Sequence, residues 1–386
     1  MKSKYFVLLA LLALVLAPAL GVAAQDATEA AGASGDSLID NVCLVTDLGK
    51  VNDGGFNQFS YEGMKKAADE FGLKNTYIET QAPTDYGKNI STCLSEGYKA
   101  IVTVGFLLAD ETLKAAKANP DVYFIGVDQF VGPDADGNAA PKNYVGLQFR
   151  EDQSGFLAGA LAAQMTKTGT IAGVYGIDIP PVKKFRNGFE NGAKYINPDI
   201  KTLGVYIDSF TAPDRGAAAA AQFLGENADV IFGAGGPTGS GGIIKAACPE
   251  ADCKGAALVI GVDQDEFLTT FGNGETPGAD NIISSAVKRV DQGVYLSLEA
   301  LVNGGADFQG GGVFILSAEN DGIGFAPAHD AADKVPQEVT DKLNEIFAGL
   351  KDGSIDTGVD PVTGDLKGAE AATPEAGMTP EATAAS

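Results

Sequence analysis

The sequence predicts an α/β protein built as two lobes, each a doubly wound, parallel sheet covered by helices. Three observations carry this. Short runs apolar on both faces alternate with stretches of helical spacing, as in a parallel sheet buried on both sides. The order of elements restarts after a long helical stretch, Glu151 to Met165. Val-Asp-Gln also follows Ile-Gly at matching places in the two halves, at 127–129 and 262–264. The repeating unit is too long for a solenoid and fits a duplicated lobe.

In the first half, strands are expected at Asn41 to Asp47, Asn75 to Glu79, Ala100 to Val104, Val122 to Val127 and Tyr144 to Leu147. Helices fall between them at Gly54 to Phe71, Tyr86 to Glu96 and Glu111 to Ala118, the last closed by Asn119-Pro120. In the second half, strands are expected at Thr170 to Tyr175, Thr202 to Ile207, Asp229 to Gly233, Ala257 to Val262 and Ile282 to Ser285. Val182 to Tyr195, Asp214 to Leu224 and Gly241 to Ala247 read as the helices that separate them.

The two ends lie outside this pattern. Lys2 and Lys4 precede an apolar run from Phe6 to Val22, and small residues follow before Gln25. This is the layout of a secretory signal, with an uncleaved anchor as the alternative. Either places the body outside the cytoplasm. Residues 25–38 read as a flexible spacer, and 366–386, with its Thr-Pro-Glu-Ala units, as a disordered tail. About 330 residues remain, enough for two domains of common size. The first lobe is expected at 39–149, completed by about 284–314, and the second at 150–283, completed by about 315–355.

Composition excludes several functions. Lys+Arg 27 against Asp+Glu 51 gives a net charge of −24, and no basic footprint for nucleic acid is present. A single histidine, His329, has no nucleophile signature beside it. G-x-S-x-G, H-E-x-x-H and C-x-x-C are all absent. The four cysteines permit disulfides in an oxidising compartment. Cys248 and Cys253 flank a plausible turn and are expected to pair; Cys43 and Cys93 are either a second bridge or two buried thiols.

In open α/β sheets, ligands bind beyond the carboxyl ends of the strands. The residues there include Asp47, Gly105, Asp128, Asp178, Phe210, Gly235, Asp263 and Lys288. Asp53 suits a helix cap, whereas Phe56-Asn57 at the same helix start suits stacking on a flat ring and bonding to its edge. Phe210 is either the facing wall of such a sandwich or a core ring; Phe185 and Phe189 are expected in the core. Asp47, Asp128 and Asp263 are turn residues if isolated. If they converge, they accept from hydroxyls or ring N–H groups. Lys288 either adds one positive charge to them or lies on the surface. The stretch Gly233 to Gly241 lacks the lysine of a P-loop and reads as a turn whose backbone N–H groups approach a ligand.

Taken together, these segments resemble the basic membrane protein family of bacterial substrate-binding proteins, of the purine nucleoside receptor A type. The likeness spans about Asn41 to Phe325. It rests on Leu44-Val45-Thr46-Asp47, on 52–58 (Asn-Asp-Gly-Gly-Phe-Asn-Gln), Tyr61-Glu62-Gly63 and Ile125-Gly126-Val127-Asp128-Gln129. It also rests on 154–159 (Ser-Gly-Phe-Leu-Ala-Gly), 234–239 (Ala-Gly-Gly-Pro-Thr-Gly), 260–265 (Ile-Gly-Val-Asp-Gln-Asp) and 285–291 (Ser-Ala-Val-Lys-Arg-Val-Asp). The resemblance implies a type I periplasmic-binding-protein fold, a three-segment hinge, capture by lobe closure and an ABC permease with its ATPase as partner. No cofactor is expected, and with a single histidine no metal is expected either. By position, Phe56 and Phe210 would sandwich a purine, Asn57 and Asp128 would read its edge, and Asp263, Lys288 and Gly235-Gly236 would hold the ribose above Asp47. Two departures stand out. No lipoprotein cysteine follows the signal, which leaves membrane association to the partner or to an uncleaved signal. Gly54-Gly55 also replaces a pair that is often Lys-Ser, a change expected to matter little for ligand contact.

The expected function is therefore capture of a purine nucleoside by a monomeric extracytoplasmic binding protein. The alternatives are a nucleoside-cleaving hydrolase and a binder of another small solute on the same fold, such as a sugar or autoinducer.

Overall fold

The computed structural model describes residues 36–368. The expected signal at 1–24, most of the spacer and the tail beyond Gly368 lie outside the described residues. The first series runs β1 (Asn41–Leu48), α1 (Phe56–Phe71), β2 (Lys74–Thr80), α2 (Tyr86–Ser95), β3 (Ala100–Val104), α3 (Ala109–Ala118), β4 (Tyr123–Val127) and β5 (Tyr144–Phe149). The second opens with α4 (Glu151–Met165), β6 (Thr170–Tyr175), α5 (Pro180–Ile196), β7 (Lys201–Tyr206) and α6 (Pro213–Gly225). It continues with β8 (Val230–Ala234), α7 (Gly236–Ala247), β9 (Leu258–Asp263) and β10 (Ile282–Lys288). The chain then adds α8 (Val290–Val302), β11 (Val313–Leu316), β12 (Ile323–Phe325) and α9 (Gln337–Lys351).

The strands form two six-stranded sheets, ordered β11-β5-β4-β3-β1-β2 and β12-β10-β9-β8-β6-β7. All pairings are parallel except β12 with β10. The sheets match position for position, so the order restarts in space as it does along the chain. Alternation within the strands explains the two covered faces. Along β1, Val42 and Leu44 pack with α1 and α8, whereas Cys43 and Val45 pack with α2 and α3. In the second lobe, Ile171 and Tyr175 face α4, α5 and α9, and Ala172 and Val174 face α6 and α7. Each fully buried Val, Leu, Ile or Phe contributes about 1.5–3 kcal/mol relative to exposure.

The expected lobe boundaries shift at two places. The break at 283/284 falls inside β10, which belongs wholly to the second sheet; the chain returns to the first lobe between Lys288 and Val290. β11 then extends the first sheet to Leu316. Leu366 and Lys367, expected in the tail, belong to the fold: Leu366 bridges Val359, and Lys367 pairs with Asp356 at 2.7 Å. The glycine-rich stretch also departs from the expected turn, since α7 begins at Gly236. Within it, a Cβ at Gly241 would run into Pro213, and one at Gly239 into Ala234. Most of these glycines let α7 pack closely on α6 and β8, and only Gly235 and Gly236 reach the cleft.

Three segments join the lobes: 149–151, 288–290 and 316–323. The first two are built alike. Arg150 (φ −89°, ψ 63°) and Arg289 (φ −77°, ψ 61°) lie close to the inverse γ-turn conformation. Each guanidinium forks onto the carboxylate two residues on, Arg150 to Asp152 at 2.7–2.8 Å and Arg289 to Asp291 at 2.8–2.9 Å. Their backbone N–H groups donate to the third segment, at Leu316 O (2.9 Å) and Gly322 O (3.0 Å).

Both cysteine pairs are bridged, Cys43–Cys93 and Cys248–Cys253, with sequence separations of 50 and 5. The longer loop removes more entropy from the unfolded chain. Replacing Cys43 and Cys93 by Ala is expected to cost about 4 kcal/mol in urea unfolding, against about 2 kcal/mol for the Cys248/Cys253 pair. Equal losses would show that loop closure does not govern the difference.

Candidate functional site

The carboxyl ends of both sheets open onto one cavity. The first lobe supplies Asp47 at the end of β1, Phe56 and Asn57 at the start of α1, Gly105 after β3 and Asp128 after β4. The second supplies Phe210 after β7, Gly235 and Gly236 where β8 passes into α7, Asp263 ending β9 and Lys288 ending β10. All nine residues singled out as ligand contacts thus line one cavity, whereas Asp178 does not.

Local geometry explains how each is presented. Asp128 and Asp263 have left-handed backbones, φ 61° and φ 65°. Among residues with a Cβ, Asp and Asn tolerate this best, and here it ends each strand at the cleft. Asp53 accepts from the N–H groups of Gly55, Asn57 and Gln58 at 2.9–3.2 Å, so it caps α1 as expected, and it also lines the cavity. Asn57 is heavily committed to the protein. Its Oδ1 accepts from Asp47 N–H (3.0 Å) and its Nδ2 donates to Asp53 (3.0 Å), which leaves one amide N–H and a lone pair unspent. Asp47 Oδ1 accepts from Leu48 N–H and the Tyr86 hydroxyl, while its other oxygen faces Gly105, where a Cβ would collide with it. The ring of Phe210 lies over Gly176, close enough to exclude a Cβ there.

Sequence reasoning missed part of the lining. Phe106, Ile179, Pro181 and Val182 add apolar wall, and Phe185 serves both core and cavity. It also missed the charges behind Lys288, whose ammonium is almost fully buried and pairs with Asp128 (2.7 Å) and Glu151 (2.9 Å). Glu151 pairs in turn with Lys184 at 2.6 Å. The strand-end rule brought 128 and 288 to the cleft, but nothing in the spacing of 151 and 184 indicated that they meet Lys288 there. His329, by contrast, bonds Asp265 at 2.6 Å and stacks on Phe267, away from the cavity. Among the described residues, no group of three or more His, Cys, Asp and Glu side chains is arranged to hold a metal ion.

The cleft is bridged at its rim as well as its floor. Gln264 donates to Gly55 O (3.3 Å) and Thr269 to Gly54 O (2.7 Å), each bond joining one lobe to the other. The Gly54-Gly55 pair therefore matters for lobe contact, and a side chain at Gly54 would press on Thr270.

Burial sets the electrostatics. It pushes the carboxyls of Asp47 and Asp128 up to about 6 and that of Asp263 up to about 7. Glu266, buried behind Asp263, also rises to about 7. For Lys288, burial favours the neutral amine, but Asp128, Glu151 and Asp263 outweigh it and hold the pKa above the usual lysine range. Acids whose pKa is raised on folding bind their protons more tightly in the folded state. Their contribution to stability is present below the unfolded carboxyl range and lost as pH rises to about 7. The melting temperature of the ligand-free protein is therefore expected to fall between pH 5 and pH 8, by less in Asp263→Asn than in the wild type. Equal slopes would remove Asp263 as a source.

No helix among the described residues is long and apolar enough to cross a membrane. Residues 41–350 match the family model for the PnrA-like ABC transporter substrate-binding protein. The chain is 30% identical to the ABC transporter nucleoside-binding protein BmpA of Lactococcus lactis, an alignment covering 90% of this chain and 97% of that one. It is 31% identical to basic membrane protein A of Borreliella burgdorferi, over 75% and 80% of the two chains. A solute-binding protein of an ABC transporter system from Aeropyrum pernix has the same fold, with TM-score 0.69 and 24% identity over 82% of this chain and 92% of that one. The two-lobed α/β architecture, with its cavity between the carboxyl ends of two sheets, is that of the type I periplasmic solute-binding proteins. Members of the matched family bind substrates for ABC transporters and are not enzymes, and this chain belongs to that family of PnrA-like ABC transporter substrate-binding proteins.

Proposed function

We propose that the protein is an extracytoplasmic receptor for a purine nucleoside, which it delivers as a monomer to an ABC permease and its ATPase. The observation that carries this reading is the pairing of Phe56 and Phe210, from opposite lobes, in one cavity with Asp47, Asp128, Asp263 and Lys288. Two aromatic walls suit both faces of a heterocycle. The acids suit ring N–H groups and sugar hydroxyls, which donate hydrogen bonds. Gly235 and Gly236 line the cavity beside Phe210, where a Cβ at Gly235 would strike the backbone of Gly176. The name of the Lactococcus relative, a nucleoside-binding protein, supports the same ligand class. The bonds from Gln264, Thr269 and Lys288 to the first lobe support capture by lobe closure.

The charge balance favours nucleosides over nucleotides. Asp47, Asp53, Asp128 and Asp263 face a single lysine in the cavity, so a phosphate would enter against net negative charge. By calorimetry, adenosine or inosine is expected to bind, and AMP at least about tenfold more weakly. AMP binding as tight as that of adenosine would overturn the selectivity, and no nucleoside binding would overturn the ligand class. Phe56→Ala is expected to weaken nucleoside binding by about 1 kcal/mol or more, while affinity unchanged in that variant would show that no ring stacks there.

A further inference from the structure

Lys288 carries three N–H donors and no acceptor. One is donated to Asp128 Oδ2 at 2.7 Å, and Glu151 Oε1 lies 2.9 Å from the ammonium as a second counter-charge. The rings of Phe56, Phe149 and Phe185 enclose the same ammonium, with centroids 4.9, 4.9 and 5.9 Å away. Asp128 takes only one N–H, so donor capacity remains for the cavity that Lys288 lines. Glu151 does not line that cavity and is completely buried. Its second oxygen is held by Lys184 at 2.6 Å, and Lys184 is itself anchored on the carbonyl of Phe149 at 2.9 Å. The result is a buried row of alternating charge, Lys184–Glu151–Lys288–Asp128, running from α5 through one hinge segment to the floor of the cleft. Within it the two Glu151 oxygens are held by charge alone, without a hydrogen bond, and at the cavity end Asp128 Oδ1 also has no hydrogen-bond partner among the described residues.

We propose that Glu151 is a positioning residue for ligand recognition, acting through Lys288 from outside the cavity. By placing a second negative charge 2.9 Å from the ammonium, it keeps Lys288 from turning fully onto Asp128. Two groups are thereby left for the ligand: an N–H of Lys288, for a sugar oxygen, and Asp128 Oδ1, for a donor. Without the Glu151 carboxylate, the nearest remaining acceptor for Lys288 is Asp128, which would then spend both oxygens on the lysine. The row holds two cations and two anions, so its charges are matched in a place where an unmatched one is costly. This assignment rests on the nucleoside reading above.

The test compares adenosine with its three monodeoxy analogues, titrated by calorimetry into the wild type and Glu151→Gln. Adenosine is expected to bind the variant about tenfold more weakly, the size of one hydrogen bond to a charged group. One analogue, lacking the hydroxyl that Lys288 meets, is expected to be weakened less than the other three ligands, because only its Asp128 contact is lost. Equal weakening for all four ligands, or no weakening, overturns the assignment, because a merely structural role does not single out one hydroxyl. If Glu151→Gln does not fold, Glu151→Asp keeps the charge and withdraws it by one methylene; the same pattern is then expected at about threefold. Loss of fold in both variants, read by circular dichroism, assigns Glu151 to the core alone and overturns the proposal. A wild type that binds none of the four ligands removes the nucleoside reading and this assignment with it, whereas a uniform loss in the variants removes this assignment alone.

Discussion

A lysine ammonium buried where two lobes meet has to be answered by carboxylates, and much of the site follows from how Lys288 is answered. Leaving such a charge unpaired costs several kcal/mol. Asp128 comes from the first lobe, Lys288 from the end of the second lobe's sheet, and Glu151 from the segment between them. For Glu151, burial alone would favour the protonated acid. Lys184 and Lys288 outweigh it and hold the carboxyl below its ordinary range. The floor of the cleft therefore pairs opposite charges, while Asp47, Asp128 and Asp263 carry carboxyls that burial has raised. A ligand arriving with N–H and O–H donors relieves those acids, and one arriving with further negative charge does not.

Much of this was legible in the sequence, for identifiable reasons. Strands buried on both faces are continuous apolar runs, so Ala100–Val104 and Thr170–Tyr175 were found at their observed limits. The strand-end rule placed Asp47, Asp128, Asp263 and Lys288 because in a parallel sheet all those ends point the same way. What stayed hidden depends on contacts between distant positions. Glu151 opens a helix whose first twelve residues are all buried, and it looks like an ordinary acid at a helix N-terminus. Only the folded chain brings Lys184 and Lys288 to it. The start of α7 was misplaced because glycine is a poor helix former, a local preference that the tight contact with Pro213 and Ala234 overrides.

The hinge repeats this lesson in a symmetric form. Arg150-Glu151-Asp152 and Arg289-Val290-Asp291 share backbone conformation and fork geometry, and each helix that follows is clasped by a glycine of its neighbour. A Cβ at Gly188 of α5 would strike the backbone of Asp152, and one at Gly63 of α1 the backbone of Asp291. The two crossings are thus fixed into opposite lobes by the same device. Between them the symmetry breaks at one place, where Glu151 in the first crossing corresponds to Val290 in the second. The buried carboxylate therefore enters from one side only, beside the lysine that ends β10.

The duplicated Ile-Gly-Val-Asp-Gln shows how two equal halves came to differ at the cleft. The aspartates keep one conformation in both lobes. The glutamines do not share a use. Gln129 turns inward and bonds Thr103, the carbonyl of Gly105 and the Tyr144 hydroxyl, tying the ends of β3 and β4 to the side chain that opens β5. Gln264 instead reaches the opposite lobe at Gly55. The glycine of each motif is constrained by what its own lobe needs. A Cβ at Gly126 would strike the side chain of Gln129, and one at Gly261 would strike Glu266 and Ser285. Glu266 in turn accepts from Val262 N–H (3.0 Å) and the Ser240 hydroxyl (3.0 Å), the bonds that take over in the second lobe the work Gln129 does in the first. With the strand ends secured by Glu266, Gln264 is released to bridge the cleft. A motif copied for its strand-ending aspartate thus supplies a rigid floor in one lobe and a contact across the opening in the other.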